Sequence, residues 1–248
     1  MVRPQIRDRP PATGVPPAAR IADDGAPPEP GRALLVPLVL LVATDVLLLA
    51  LNVLHLATPY FADERYGVTV DRGFAEVVQY VKLYWIALGF AWLGLRAREG
   101  AYAAWVAVFG YLLLDDAFSL HEKAGETLAA GLAIQPALGF VPQDFGQLLA
   151  FGLVGAGSLL VVGAAHRGGS ATFRRLSRRT LALLALLALF GVGLDAAHSL
   201  ARNAPRPLEL TLGLLEDGGE MVVLSVLCAL VVARLGAPRP ARPGAPGP

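Results

Sequence analysis

Six long apolar runs divide the chain, at about 33–57, 74–95, 101–121, 146–165, 180–201 and 213–235. Each is near the roughly 20 residues that a helix needs to cross a bilayer. The runs are continuous, unlike the short alternating segments of membrane-spanning strands. The pattern therefore predicts an all-α fold, a polytopic membrane bundle of six transmembrane helices over residues 33–235. The first run follows a long polar tail and carries Asp45 at its centre, so it reads as a span and not as a cleaved signal. Residues 1–32 and 236–248 are rich in Pro, Ala and Arg without apolar periodicity, and are expected to be disordered tails. The fourth run, "FGLVGAGSLLVVGAA", is small and almost free of polar groups. Its Gly152 and Ala156, four apart, predict a helix that packs closely on its neighbours.

Basic residues orient the spans. The N-terminal tail, Arg96 and Arg98, the Arg167–Arg179 segment, and Arg234 with the C-terminal tail hold fifteen of the 21. Cationic loops stay cytoplasmic, so both termini are expected inside. Trp92, Tyr102 and Trp105 are then expected towards the inner interface, with Tyr60 and Phe61 towards the outer. Composition agrees with a membrane protein: 55% of residues are hydrophobic and 17% charged. A net charge of +1 argues against a nucleic-acid partner. Cys228 is the single cysteine, so neither an internal disulfide nor a cysteine metal site is available. Scarce lysine beside abundant Arg, Ala, Gly and Pro suggests GC-rich coding, hence a bacterial plasma membrane.

Where the polar residues fall changes the picture. "YLLLDDAFSLHEKAGE" ends the third span in acids and a histidine, "GLDAAHSLAR" ends the fifth, and "LLEDGGEMVV" opens the sixth. Asn52 and His55 end the first span, and Glu76 and Gln79 open the second. Five spans thus place polar residues in one outer layer. At about 100° per residue, Asp115, Ser119 and Glu122 form one stripe, Asp195, His198 and Ser199 another, and Glu216 and Glu220 a third. Asp45 and Asn52 share a face of the first span. Asp116 and His121 flank their stripe and are expected nearer the loop. Intramembrane ionisable groups imply function by default, so an outward-facing pocket is expected. Its acids would need protons, a metal cation or the bases Lys82, Arg202 and Arg206 as compensation.

Three readings follow. In the first, Asp115, His121, Glu122, Asp195, His198 and Glu216 hold a divalent metal, zinc, iron or manganese. Glu216 and Glu220, with Ser119, are then candidate catalytic groups, and Asp45, Asn52, His55 and Glu76 complete the polar pocket. A metal-dependent hydrolase of a lipid-like substrate is the leading expectation. The second reading is a proton- or ion-coupled transporter, with Asp45 as a deeper relay. The third is a non-catalytic membrane component whose acids pair with the nearby bases. Oligomeric state is left open. "HEKAG" lacks the second histidine of the metalloprotease motif. "GAGS" lacks the glycine expected two before the serine in intramembrane serine proteases.

"LDDAFSLHE" and "EDGGEMVVLSV" together resemble a group of uncharacterised bacterial multi-pass membrane proteins, through Asp115, Asp116, His121, Glu122, Glu216, Asp217 and Glu220. A looser similarity in chemistry links His55, His121, His198, Asp115 and Ser119 to the ceramidase-like and progestin-receptor-like membrane hydrolases. That resemblance would imply a zinc site built on histidines. Those proteins have seven spans and paired histidines in the last one, and this chain lacks both.

Overall fold

The computed structural model of the protein describes residues 30–201 and 205–236. The tails expected to be disordered fall almost wholly outside these residues, as does Arg202. The helices are α1 (Pro30–Ala57), α2 (Phe74–Ala97), α3 (Ala103–Phe118), α4 (Leu120–Gly131), α5 (Pro142–Gly168), α6 (Ala171–Ala188), α7 (Asp195–Leu200) and α8 (Arg206–Leu235). A π-helical turn, Leu189–Leu194, joins α6 to α7 without interrupting the span. Six stretches are long and apolar enough to cross a membrane: Arg32–Ala57, Phe74–Ala97, Gly100–Phe118, Pro142–Gly168, Ala171–Leu200 and Arg206–Leu235. Successive spans alternate in direction. The start of α1 and the end of α8 therefore share one end of the bundle, here called proximal; the other end is distal.

Helix α8 is the hub. It packs on α1, on α2, and on α6 with the π turn, while α2 packs on α3 and α5 packs on α4 and α3. Half of the α8 span window is buried, against 11% for α1 and for α5 and 6% for the α6 span. The last three therefore present most of their surface to lipid. The proximal half is a dry core. Phe90 stacks on Trp105 and on Phe109, each at 5.8 Å between ring centres, and Tyr102 meets Phe173 edge-on at 5.0 Å. Such pairs each add about 0.5–1.5 kcal/mol beyond area burial. Trp105 and Tyr102, expected near the interface, are buried in this core. The indole N–H of Trp105 donates to Ser177 Oγ at 3.1 Å, so its one polar atom is satisfied.

Two boundaries differ from the sequence reading. The fifth span begins at Ala171 and not near 180, because Ser170 caps α6 by accepting the Phe173 N–H at 3.1 Å. The basic run Arg174–Arg179 thus belongs to the helix. The third span ends at Phe118 and not at 121. Ser119 adopts the left-handed conformation (φ 48°, ψ 50°) and its N–H closes on the carbonyls of Asp115 and Asp116. That conformation costs a non-glycine residue roughly 1–2 kcal/mol. The chain restarts as α4, so His121 and Glu122 lie on a separate helix. Helix α4 crosses α5 so closely that a Cβ on Gly146 would stand 2.0 Å from the Gly125 carbonyl oxygen. Gly152 and Gly155, in contrast, have open space where a side chain would stand. The close contact expected at Gly152 and Ala156 is made instead at the start of α5.

Candidate functional site

Three expected pocket residues serve other ends. Asp45 is fully buried near the middle of α1, where Lys82 Nζ donates to its Oδ1 and Ser225 Oγ donates to its Oδ2 at 2.6 Å. Lys82 also donates to the Met221 carbonyl at 3.1 Å. This closed unit pins α1 to α2 and α8, and neither Asp45 nor Lys82 lines the distal cavity. Asn52 Oδ1 accepts the Val68 N–H at 3.1 Å, and His55 Nδ1 lies 2.6 Å from the Phe61 carbonyl oxygen. Both tie α1 to the loop 58–73. Within that loop Arg65 grips Asp63, and this charged hydrogen bond holds the Asp63 carboxyl down at about 2.

Most of the other polar residues expected at the site, though not Ser199, line one cavity of about 620 Å³. From α2 and the loop before it come Asp71 and Glu76; from α3, Asp115 and Asp116; from α4, Glu122; from α7, Asp195; and from α8, Glu216, Asp217 and Glu220. Nine carboxylates share this space with His121 and His198, and the described lining holds no lysine or arginine. Asp116 and His121, expected nearer the loop, line it with the rest. So does Ser119, whose backbone conformation makes the turn between α3 and α4.

Local geometry explains how each wall is set. Asp115 is buried and spans the helix break: its Oδ1 accepts the His121 N–H at 2.8 Å, and its Oδ2 accepts from His121 Nδ1 at 3.1 Å. It thereby caps α4 in the manner of an N-terminal acceptor. The His121 ring stacks on Phe151 of α5 at 4.8 Å. Burial disfavours the imidazolium, but the hydrogen bond and charge of Asp115 outweigh it, with Glu122 and Asp116 adding to them. His121 is therefore held above its ordinary value. On the opposite wall, His198 Nδ1 lies 3.3 Å from Glu216 Oε2, joining α7 to α8. Glu76 accepts the Arg72 N–H and so ties the preceding loop to the first turn of α2 while facing the cavity.

The glycines of "LFGVGL" and "EDGGE" have a reciprocal use. A Cβ on Gly191 would meet Glu220 Oε1 at 2.0 Å, and one on Gly219 would meet the Phe190 ring at 2.3 Å. Each helix thus leaves a gap for the other's large side chain. Among the described residues, no three His, Cys, Asp or Glu side chains are grouped so that they could hold a metal ion. The six expected ligands form two carboxylate–histidine pairs, Asp115–His121 and Glu216–His198, with Glu122 and Asp195 also on the walls.

The α5 wall was not anticipated. Gln147, Phe151, Val154, Gly155 and Ser158 line the cavity from a helix read as packing only. Apart from Gln147 and Ser158 they carry no polar side chain, so nothing marked them in the sequence. Asp71 and Thr69 were also missed, because they lie in a loop whose course no periodicity reveals.

A family described as a domain of unknown function (DUF8692) matches residues 33–234. The chain belongs to this family. The match covers all six spans and every cavity residue, and leaves the two tails outside. No curated protein and no solved structure matches.

Proposed function

We propose that this multi-pass membrane protein binds a cationic ligand in the distal cavity. The observation that carries the reading is the charge of the walls: nine carboxylates on one space, two histidines, and no lysine or arginine in the described lining. Carboxylates this close raise one another's energy, and a bound cation relieves that repulsion where water is scarce. The basic segments lie at the proximal end, so the positive-inside tendency supports a cavity open to the outer side of a plasma membrane. The stacked Phe90, Trp105 and Phe109 rings close the proximal half. A transport cycle, the natural extension of such a site, would require these rings to separate.

A metal-dependent hydrolase of a lipid-like substrate is the second reading. It is favoured by the two carboxylate–histidine pairs on the walls of one cavity, since a carboxylate on one ring nitrogen orients an imidazole whose other nitrogen is left for a ligand. It stands second because the described side chains offer no three-ligand group for zinc, iron or manganese.

The test uses the full chain, purified in detergent without chelator. Manganese and zinc are measured by elemental analysis, and tetramethylammonium by calorimetry, for the wild type and for Glu216→Gln with Glu220→Gln. The expected result is saturable binding of at least one of these cations, weakened about tenfold or more in the folded variant. Unchanged binding in the variant, or no binding of any of the three, would sink the proposal. Metal bound in whole-number stoichiometry and lost in His198→Ala would promote the hydrolase reading.

A further inference from the structure

The acid wall is only one end of the cavity. Elsewhere the lining is apolar, with Leu83, Val108, Leu112, Val162, Leu184 and Leu224. A volume of about 620 Å³ suits a drug-sized organic molecule. A metal ion with six waters, at about 30 Å³ per water, would fill roughly a third of it.

The cavity also opens sideways. Helices α5 and α6 leave the Gly169 turn together, but α5 goes on to pack on α4 and α3, whereas α6 and the π turn pack on α8. Cavity-lining residues on both sides of the resulting gap are exposed: Gly155 and Leu159 on α5, Ala185 and Ala188 on α6. The neighbouring Leu160, Leu186 and Leu189 are exposed too. In a bilayer this gap faces acyl chains.

Gln79 supplies an observation independent of charge. It lines the cavity, is 5% exposed, and has no hydrogen-bond partner among the described residues. Its amide offers two donors and an acceptor. The amide borders the open space of the cavity, so a polar occupant, water or ligand, belongs beside it.

We propose that the ligand is an amphiphile. A cationic head such as an ammonium group sits at the acid end near Gln79, an apolar body lies along α3, α5 and α6, and entry is lateral, through the α5–α6 gap. The inference rests on the cation reading above and narrows it to a substrate class.

The test places the full chain in nanodiscs of zwitterionic phosphatidylcholine. Binding of ethyltrimethylammonium, dodecyltrimethylammonium and dodecanol is measured, each corrected against protein-free nanodiscs. Burial of the added methylenes should make the dodecyl cation bind about a hundredfold or more tighter than the ethyl cation. Gly155→Trp, which fills the gap from a position with open space, should weaken the dodecyl cation at least about tenfold more than the ethyl cation. Equal affinities for the two cations would overturn the amphiphile and leave the cation reading standing. Dodecanol binding as tightly as its trimethylammonium counterpart would overturn the cation reading and this inference with it. A folded Gly155→Trp protein that binds the dodecyl cation like wild type would overturn the lateral site.

Discussion

The proximal and distal halves of the bundle treat buried charge in opposite ways. Towards the proximal core, Asp45 and Lys82 meet as one acid and one base, with Ser225 and the Met221 carbonyl taking up further hydrogen-bonding capacity. In the distal half, acids from five segments face a shared space that contains histidine but no lysine or arginine. The first arrangement is complete without any other molecule. The second leaves its acids to be compensated by protons or by a bound cation. The same helices, α2 and α8, carry both arrangements on different faces, so the contrast is local and can be tested one residue at a time.

The largest expected effect lies in the closed unit. Lys82→Met leaves Asp45 buried without its partner and should cost about 3–5 kcal/mol of stability. Thermal unfolding in detergent measures this, and Asp45→Asn combined with Lys82→Met should recover much of the loss. A single variant as stable as wild type would show that the pair is not the pin described here. Phe90→Ala should be nearly as damaging, at about 3–5 kcal/mol, because its ring touches Tyr102, Trp105 and Phe109 in a core with no space to relax.

The opposite sign is expected in the cavity. Glu220→Gln keeps the shape beside Gly191 and removes one acid from the set, so the ligand-free protein should gain up to about 1 kcal/mol. A loss of stability there would mean that Glu220 is already compensated, and would erase the difference between the halves.

A smaller effect follows from His121. Its folded-state value is raised by Asp115, so its contribution is fully present below the ordinary histidine value of about 6.5. It should fade as pH rises through the raised value. Melting temperature followed against pH should therefore show a downward step in wild type that is absent in His121→Gln. A step of equal size in both proteins would place its origin elsewhere.

What the sequence made legible is what hydropathy and charge encode directly. Six spans and an all-α fold followed from run length, and the distal polar layer followed from charges inside apolar runs. Neighbour order was not legible. Helical phase put Asp45 and Asn52 on one face of α1, but could not say that Lys82 stood opposite the first and the Val68 backbone opposite the second. The break at Ser119 was hidden because apolar character continues through it and serine carries no mark of a left-handed turn. Most of the α5 wall was hidden because Phe151, Val154 and Gly155 act by outlining space, which has no chemical signature in a residue list.

The π turn at Leu189–Leu194 has a consequence for how this sequence tolerates length change. Deleting a residue from ordinary α-helix shortens the span by about 1.5 Å and turns everything after it by about 100°. The wide turn instead takes up about one residue more than an α-helical turn would. Deleting Val192 would therefore let an ordinary helix run through and leave Asp195 and His198 close to their present orientation, whereas deleting Ala185 from the α-helical part would turn both by about 100° relative to the start of α6. In the second case the span would still cross the membrane and the protein would still insert, yet one wall of the cavity would face the wrong way. The acid cavity therefore depends on a count of residues as much as on their kind.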